Sequence, residues 1–207
     1  MDNAVALVQT YLRLNGYFTV AEYPILEATR GGGYQTATDL DILAFRFPHA
    51  GMLIPRPGRR SSDKINTRAD PALGAAADHA DMLVGEVKEG AAVVNDAASR
   101  PAVLHVALVR FGCCSAQEAP PLVTELLQTG HALLPVGHQI RMVAFGSTAH
   151  SSGRYHTVSL GHALQFIEDY LREHWDLLRH VDHKDPVFGF LSMMAKAKQG
   201  IGAEIAS

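Results

Sequence analysis

The sequence predicts an α/β fold in which helices flank a small mixed sheet, with a helical extension at the C-terminal end. Segments with apolar residues at helical spacing alternate along the chain with segments rich in β-branched and aromatic residues. Hydrophobic residues make up 47% of the 207 residues and charged residues 19%, which is typical of a folded domain with a sizeable core. The longest apolar runs are far shorter than the roughly 20 residues that cross a bilayer, so we expect no membrane partner.

The first half of the chain predicts one helix and three strands. Apolar residues at helical spacing predict a helix over residues 4–15. Residues 17–26 are rich in β-branched and aromatic side chains and predict a strand, which Pro24 favours at a sheet edge or a bulge. A glycine-rich turn leads to a second strand over residues 36–47, and a third strand is expected over residues 82–90.

The second half of the chain predicts helices with one further strand. Two helices are expected over residues 102–111 and 120–129, followed by a strand over 139–147. Ser159 predicts the start of a long helix that runs to about residue 182, and a last helix is expected over 187–198. We expect residues 1–150 to form the core and residues 151–207 a helical extension packed on the same domain.

A long basic segment separates the second and third predicted strands. The formal net charge of −3 gives no global basic field, so any contact with nucleic acid must come from a local patch. Residues 55–68 combine proline, glycine and serine with basic side chains, which predicts the most mobile internal segment and a phosphate-binding loop. A merely solvated loop is the alternative. The basic residues are Arg56, Arg59, Arg60, Lys64 and Arg68.

Carboxylates interrupt the second and third predicted strands. Strand alternation places Asp41 on one face with Leu43 and Phe45, and residues 40, 42 and 44 on the other. The same alternation places Glu86 and Lys88 on one face of the third strand. Because an ionised carboxylate is costly to bury without a partner, we expect Asp41 and Glu86 to share a cation or to pair with Lys88.

Two carboxylates predict a site for a hard divalent ion. Together with backbone oxygens and water, Asp41 and Glu86 suit Mg²⁺ or Mn²⁺. Lys88 would orient an attacking water and offset charge on a phosphate. The alternative is a structural salt bridge between Lys88 and one of the two acids, with no chemistry.

The segments TDLDIL (residues 38–43) and GEVK (residues 85–88) resemble the D…(D/E)-X-K signature of the PD-(D/E)XK nuclease superfamily. The resemblance covers residues 4–147 and implies a restriction-endonuclease-like α-β-β-β-α-β core. It also implies that Asp41 and Glu86 are the metal ligands and that Lys88 is the lysine of the motif.

The chain departs from the family pattern at two places. Many members of the superfamily carry a glutamate on the first helix, and this chain has none there. Gln9 is the nearest substitute on that helix, and Glu22 could act from the first strand. Leu40 stands where the motif has proline.

From these observations we expect a cytoplasmic, metal-dependent nuclease that hydrolyses phosphodiesters of DNA or RNA. The two cysteines, Cys113 and Cys114, are adjacent, which excludes a multi-disulfide scaffold and suits a reducing compartment. One alternative is a catalytically inactive protein of the same fold that binds nucleic acid or a partner protein. Another is a structural module that forms a homodimer.

Overall fold

The computed structural model describes residues 2–50, 69–76, 78–134, 137–150, 153–181 and 183–205. The basic residues of the predicted phosphate-binding loop, from Arg56 to Arg68, lie outside this range, as does the segment predicted to be most mobile. Neither prediction is tested by the structure.

The described residues form six α-helices and a six-stranded mixed sheet, which confirms the α/β class. None of the helices in these ranges is both long enough and apolar enough to cross a membrane. A short 3₁₀ helix, Pro71–Leu73, precedes the third strand. The elements are α1 (Asn3–Leu14), β1 (Phe18–Ala28), β2 (Tyr34–Arg46), β3 (Ala80–Ala91), α2 (Pro101–Arg110), α3 (Ala119–Thr129), β4 (His131–Leu133), β5 (His138–Thr148), β6 (His156–Ser159), α4 (Leu160–Glu173), α5 (Trp175–Leu178) and α6 (Pro186–Ile205).

The sheet has the order β1-β2-β3-β5-β4, and β6 pairs with β5 as well. β1, β2 and β3 are antiparallel neighbours, whereas β3 and β5 run parallel. β4 pairs with residues 139–141 of β5 and β6 with residues 143–146, so these two short strands share one edge of β5. The sequence did not predict β4 or β6, because three or four residues are too few to show a strand period.

Helices cover both faces of the sheet and bury a separate apolar cluster on each. The α1/α4 face is defined by the buried residues Val8, Leu12, Leu83, Phe145 and Ile167. The α2/α3 face is defined by the buried residues Val84, Leu104, Leu126, Ile140 and Met142. The predicted C-terminal extension therefore contributes β6 to the sheet and α4 to its cover.

Side-chain alternation along β2 breaks at Asp41. Ile42 lies on the α1/α4 face and Leu43 on the α2/α3 face, as alternation requires. Leu40 was predicted to share the face of Ile42, and this is wrong, because Leu40 packs with Leu43 on the α2/α3 face. The alternation of side chains between the two faces of the sheet therefore reverses at Asp41.

Side-chain alternation in the neighbouring strand β1 reverses at the position opposite Asp41. Its pairing with β2 runs through Ala21–Ile42 and resumes at Tyr23–Leu40, which leaves Glu22 opposite Asp41 without a ladder pair. Glu22 has a left-handed backbone with φ of 52°, a conformation that non-glycine residues adopt rarely. This local conformation, and not the sequence period, decides the faces on either side.

The long helix predicted from Ser159 to about residue 182 is wrong in its second half. Ser159 caps the helix as expected, since its hydroxyl accepts a hydrogen bond from the His162 amide. The helix ends at Glu173, and His174 leaves the helical conformation with φ of −107°. The single turn that follows, α5, has no buried residue, and its Leu178 packs against the core only as a partly buried side chain.

A buried ion pair joins the first part of β3 to β5. Arg141 donates to both carboxylate oxygens of Asp81 at 2.8 and 2.7 Å, and Tyr17 donates to the same carboxylate at 2.5 Å. Asp81 is fully buried and Arg141 is 6% exposed. Burial, reinforced by the charge of Asp81, raises the pKa of Tyr17, so its hydroxyl remains a donor. A third bond from Arg141 reaches the carbonyl of Leu73 at 2.7 Å.

A second buried carboxylate, Asp70, ties the segment before β3 to α1 and α4. It accepts hydrogen bonds from the Tyr11 hydroxyl at 2.7 Å and pairs with His162 of α4 at 2.6 Å. Its backbone amide donates to Asn15 at 2.6 Å. Burial works against the charge of Asp70, but the hydrogen bonds from Ala72, Tyr11 and His162 outweigh it and lower the pKa of Asp70.

We expect Asp81→Asn to destabilise the protein by about 3–5 kcal/mol, because it leaves the buried guanidinium of Arg141 without a balancing charge. Urea denaturation at neutral pH measures the loss. Asp169→Asn, which breaks the exposed pair between Arg172 and Asp169, should cost less than about 1 kcal/mol. Equal losses in the two variants would contradict a structural role for the buried pair.

Asp70 should contribute stability that is lost in acid. Its pKa is lowered below the usual 3.8, so as the pH falls the unfolded chain takes up a proton before the native carboxylate does. The difference in the free energy of unfolding between the parent and Asp70→Asn should therefore be largest near neutrality. It should narrow as the pH falls from about 4 to 2, measured by urea denaturation at each pH. Asp176→Asn, whose side chain is 98% exposed, should show no such narrowing.

Candidate active site between β2 and β3

The candidate site begins where β2 and β3 separate. Their main-chain pairing runs from Arg46–Asp81 to Ile42–Gly85 and ends there. Beyond that pair, the Val87 amide donates to Oδ2 of Asp41 at 2.8 Å. A side chain thus takes the hydrogen bond that a further main-chain pair would have made, and Asp41 is fixed at the mouth of a gap between the strands.

The structure brings Asp41, Glu86 and Lys88 together in this gap. Nζ of Lys88 lies 2.5 Å from Oε1 of Glu86 and 3.8 Å from Oδ2 of Asp41. The two carboxylate oxygens can therefore be no farther apart than the sum of those distances. The Glu86 side chain is 2% exposed, whereas that of Lys88 is 38% exposed, so the site opens to solvent on the lysine side.

Glu86 and Lys88 lie on the predicted face of β3. Val84 packs on the α2/α3 face, while Leu83 and Val87 pack on the α1/α4 face, which confirms the alternation expected for this strand. The two functional side chains therefore point to the side of the sheet that α2 and α3 cover.

Glu86 is a buried acid with one oxygen satisfied and one not. Oε1 accepts from Lys88 and from the side-chain amide of Asn95. Oε2 is buried and has no hydrogen-bond partner among the described residues. Burial raises the pKa of Glu86, and the charge of Asp41 adds to this effect against the hydrogen bonds from Lys88 and Asn95. A buried carboxylate oxygen without a donor is costly, and a cation would satisfy it.

Lys88 carries the positive charge of the site. Burial disfavours its ammonium form, but the hydrogen bond to Glu86 and the charges of Glu86 and Asp41 outweigh burial and raise the pKa of Lys88. The group is therefore a hydrogen-bond donor and a counter-charge at neutral pH, rather than a base.

Sequence reasoning missed Asn95, which contacts Glu86 from the loop between β3 and α2. Its Oδ1 accepts from the Ala98 amide at 2.6 Å, and its backbone carbonyl accepts from the Ser99 hydroxyl at 3.0 Å. These bonds fix the loop, while Nδ2 donates to Glu86. The only signal in the sequence was the Asn-Asp pair at 95–96, which is typical of a turn and says nothing of a contact with a strand.

Gly146 allows this loop to pass close over β5. A β-carbon at Gly146 would overlap the backbone of Ala92 and of Gly90, so only glycine fits there. The Ala92 amide continues the contact by donating to the carbonyl of Thr148 at 2.8 Å. The close approach sets the path of the chain from Lys88 to Asn95.

The two substitutes considered for a first-helix glutamate lie in different places. Gln9 is buried on α1, which covers the opposite face of the sheet from Glu86 and Lys88. Glu22 is exposed next to Asp41 in the strand pairing, and its Oε1 accepts from the backbone amide of Asp2 at 3.0 Å.

The donor set fits a hard divalent ion with two protein carboxylates. Asp41 and Glu86 supply oxygen ligands of the type Mg²⁺ and Mn²⁺ prefer, and the unsatisfied Oε2 of Glu86 is a ready acceptor. Across the described ranges, no group of three or more histidine, cysteine or acidic side chains is arranged to hold a metal. The remaining ligands of such an ion would be water and backbone oxygens, as is common for Mg²⁺.

Comparison with known proteins adds no family assignment. No protein-family model, curated protein or solved structure matches the chain. The functional assignment therefore rests on the geometry of Asp41, Glu86 and Lys88.

We expect Gly146→Ala to displace the loop that carries Asn95 and to destabilise the protein by about 1–3 kcal/mol, since the added methyl group has no space. Chemical denaturation measures the loss. Gly161→Ala is the matched control, because that glycine lies in the first turn of α4 with no atom closer than 4.0 Å to the new β-carbon. The control should keep or gain stability, and a Gly146→Ala variant as stable as the control would contradict the close approach.

Proposed function

We propose that the chain is a metal-dependent phosphodiester hydrolase acting on DNA or RNA. The observation that carries the proposal is the convergence of Asp41, Glu86 and Lys88 on one gap in the sheet. Lys88 contacts both acids, and one buried oxygen of Glu86 has no donor among the described residues. A purely structural cluster would be expected to satisfy that oxygen.

The order of the elements supports a restriction-endonuclease-like core for this proposal. The chain runs α1, β1, β2, β3, α2, β5, with α3 and β4 inserted before β5. β1, β2 and β3 are antiparallel neighbours, and β5 returns parallel to β3. The two acids lie on adjacent strands, as the resemblance to the PD-(D/E)XK nucleases implies.

Asp41 and Glu86 would hold the Mg²⁺ or Mn²⁺ ion. When bound, such an ion supplies an activated water and stabilises negative charge on the phosphate. Asp41 is pre-positioned by the hydrogen bond from the Val87 amide, and Glu86 by the bond from Asn95. Neither acid has to be ordered at the moment of binding, which lowers the cost of forming the site.

Lys88 would act on the substrate side of the site. Its partly exposed ammonium can donate a hydrogen bond to the attacking water and offset the charge that develops on the phosphate. The two acids favour its ammonium form, which would orient the water by donating to it.

In this function the phosphate backbone of the nucleic acid would be bound by five basic residues, Arg56, Arg59, Arg60, Lys64 and Arg68. Their segment connects the end of β2 to the start of β3. Contacts of this kind would supply the sequence-independent part of nucleic-acid binding.

We expect the parent protein to cleave plasmid DNA, single-stranded DNA or RNA in the presence of Mg²⁺ or Mn²⁺ and not in chelator. Lys88→Ala should cut the turnover by about 10²–10³, because preorganised charge at the reacting phosphate is worth that much. Lys196→Ala, which removes an exposed lysine of α6, should leave cleavage unchanged. Gel assays over the three substrates, with melting curves for each variant, make the measurement.

The salt bridge between Lys88 and Glu86 also favours a second candidate, a non-catalytic protein of the same architecture that binds nucleic acid. In that case the parent would bind nucleic acid without metal and would cut none of the substrates. Lys88→Ala would then lower the melting temperature, because two close carboxylates would lose their counter-charge, with no activity to lose. This pattern of results would overturn the proposed hydrolase.

A further inference from the structure

We infer that Asn95 is a positioning residue, whose side-chain amide holds Oε1 of Glu86 so that Oε2 is kept for a bound divalent cation. The inference rests on the proposed function. It adds to Asp41, Glu86 and Lys88 a fourth residue, which lies in a loop. The sequence did not predict that this loop contacts a strand.

The two ends of the Asn95 amide have different tasks. Oδ1 accepts from the Ala98 amide at 2.6 Å, which fixes the side chain to its own turn. Nδ2 then reaches across to Oε1 of Glu86. The turn itself is held by the bond from the Ser99 hydroxyl to the Asn95 carbonyl at 3.0 Å. The amide is therefore anchored before it contacts Glu86.

The donors around Glu86 are distributed unevenly, and this decides what is left for a cation. Lys88 and Asn95 both donate to Oε1, while Oε2 is buried without a partner within the described ranges. The terminal torsion of a glutamate is broad and nearly two-fold, so a carboxylate held only at one point turns easily. Lys88 is 38% exposed and long, and alone it would follow that rotation.

Asn95 therefore supplies the rigid contact. Groups that orient a metal ligand from behind typically change metal affinity by about 10–100-fold when they are removed. The same range is expected here, because a Glu86 carboxylate free to rotate would no longer hold Oε2 in a fixed position for the cation.

The test is Mn²⁺ binding to the full chain, followed by the electron paramagnetic resonance signal of free Mn²⁺. Asn95→Ser keeps a hydroxyl that can accept from the Ala98 amide but is too short to reach Glu86. The dissociation constant should rise by about 10–100-fold in Asn95→Ser and in Asn95→Ala. Ser99→Ala is the matched comparison, since it loosens the same turn but leaves the Asn95 side-chain amide in place, and its dissociation constant should rise less than that of Asn95→Ser.

A second measurement needs no variant. In the parent, the Asn95 side-chain amide protons should be shifted and protected from exchange in NMR spectra, with and without Mg²⁺, because the bond to Oε1 persists when the cation binds. Solvent-like amide signals would overturn the inference, and so would an Asn95→Ser variant that binds Mn²⁺ as tightly as the parent. Equal weakening in Ser99→Ala would reduce Asn95 to a turn residue and overturn it too.

The failure of the inference and the failure of the proposed function are distinguishable. A parent that binds Mn²⁺ and cleaves, with an Asn95→Ser variant of equal affinity, overturns only the role of Asn95. A parent that binds no Mn²⁺ overturns the metal site and the role of Asn95 together.

Discussion

The hydrogen bond from the Val87 amide to the Asp41 carboxylate is the interaction on which the candidate site depends. It ends the pairing of β2 with β3 without leaving a buried amide unsatisfied, which would be costly. On its other side, β3 stays paired with β5 through Lys88. The gap therefore separates β2 from β3 while β3 remains hydrogen-bonded to β5. The acids on the two sides of the gap keep fixed positions.

The two ends of β3 treat buried charge in opposite ways. At its start, Asp81 receives three hydrogen bonds from Arg141 and Tyr17, so both of its oxygens are satisfied. Five residues later Glu86 is equally buried, yet one of its oxygens has no partner in the part of the chain that the structure describes. Native proteins satisfy most buried polar atoms, and the exceptions need an explanation. The first cluster is satisfied by its own side chains, and the second leaves an acceptor oxygen that the proposed cation would use.

The sequence predicted the elements whose signals repeat along the chain. Glu86 and Lys88 were placed on one face of a strand because a period of two survives wherever a strand is regular. The face of Leu40 was wrong, since the reversal at Asp41 depends on the backbone of the neighbouring strand. The long helix predicted from Ser159 ends early, at Glu173, because helical spacing alone does not show where a helix stops. No sequence pattern predicted the contact of Asn95 with Glu86, because a loop residue that reaches a strand is brought there by the fold.

The reversal of side-chain alternation in β1 has a consequence for the edge of the sheet. Among the described strands β1 pairs only with β2, and it carries exposed apolar side chains, with Phe18 69% and Leu26 56% exposed. An unbroken edge of this length would be a template for another chain to add as a strand, which is how sheets aggregate. The left-handed residue Glu22 and the amide-lacking Pro24 interrupt its row of donors near the middle. The same irregularity that faces Asp41 thus guards the sheet against edge-to-edge growth.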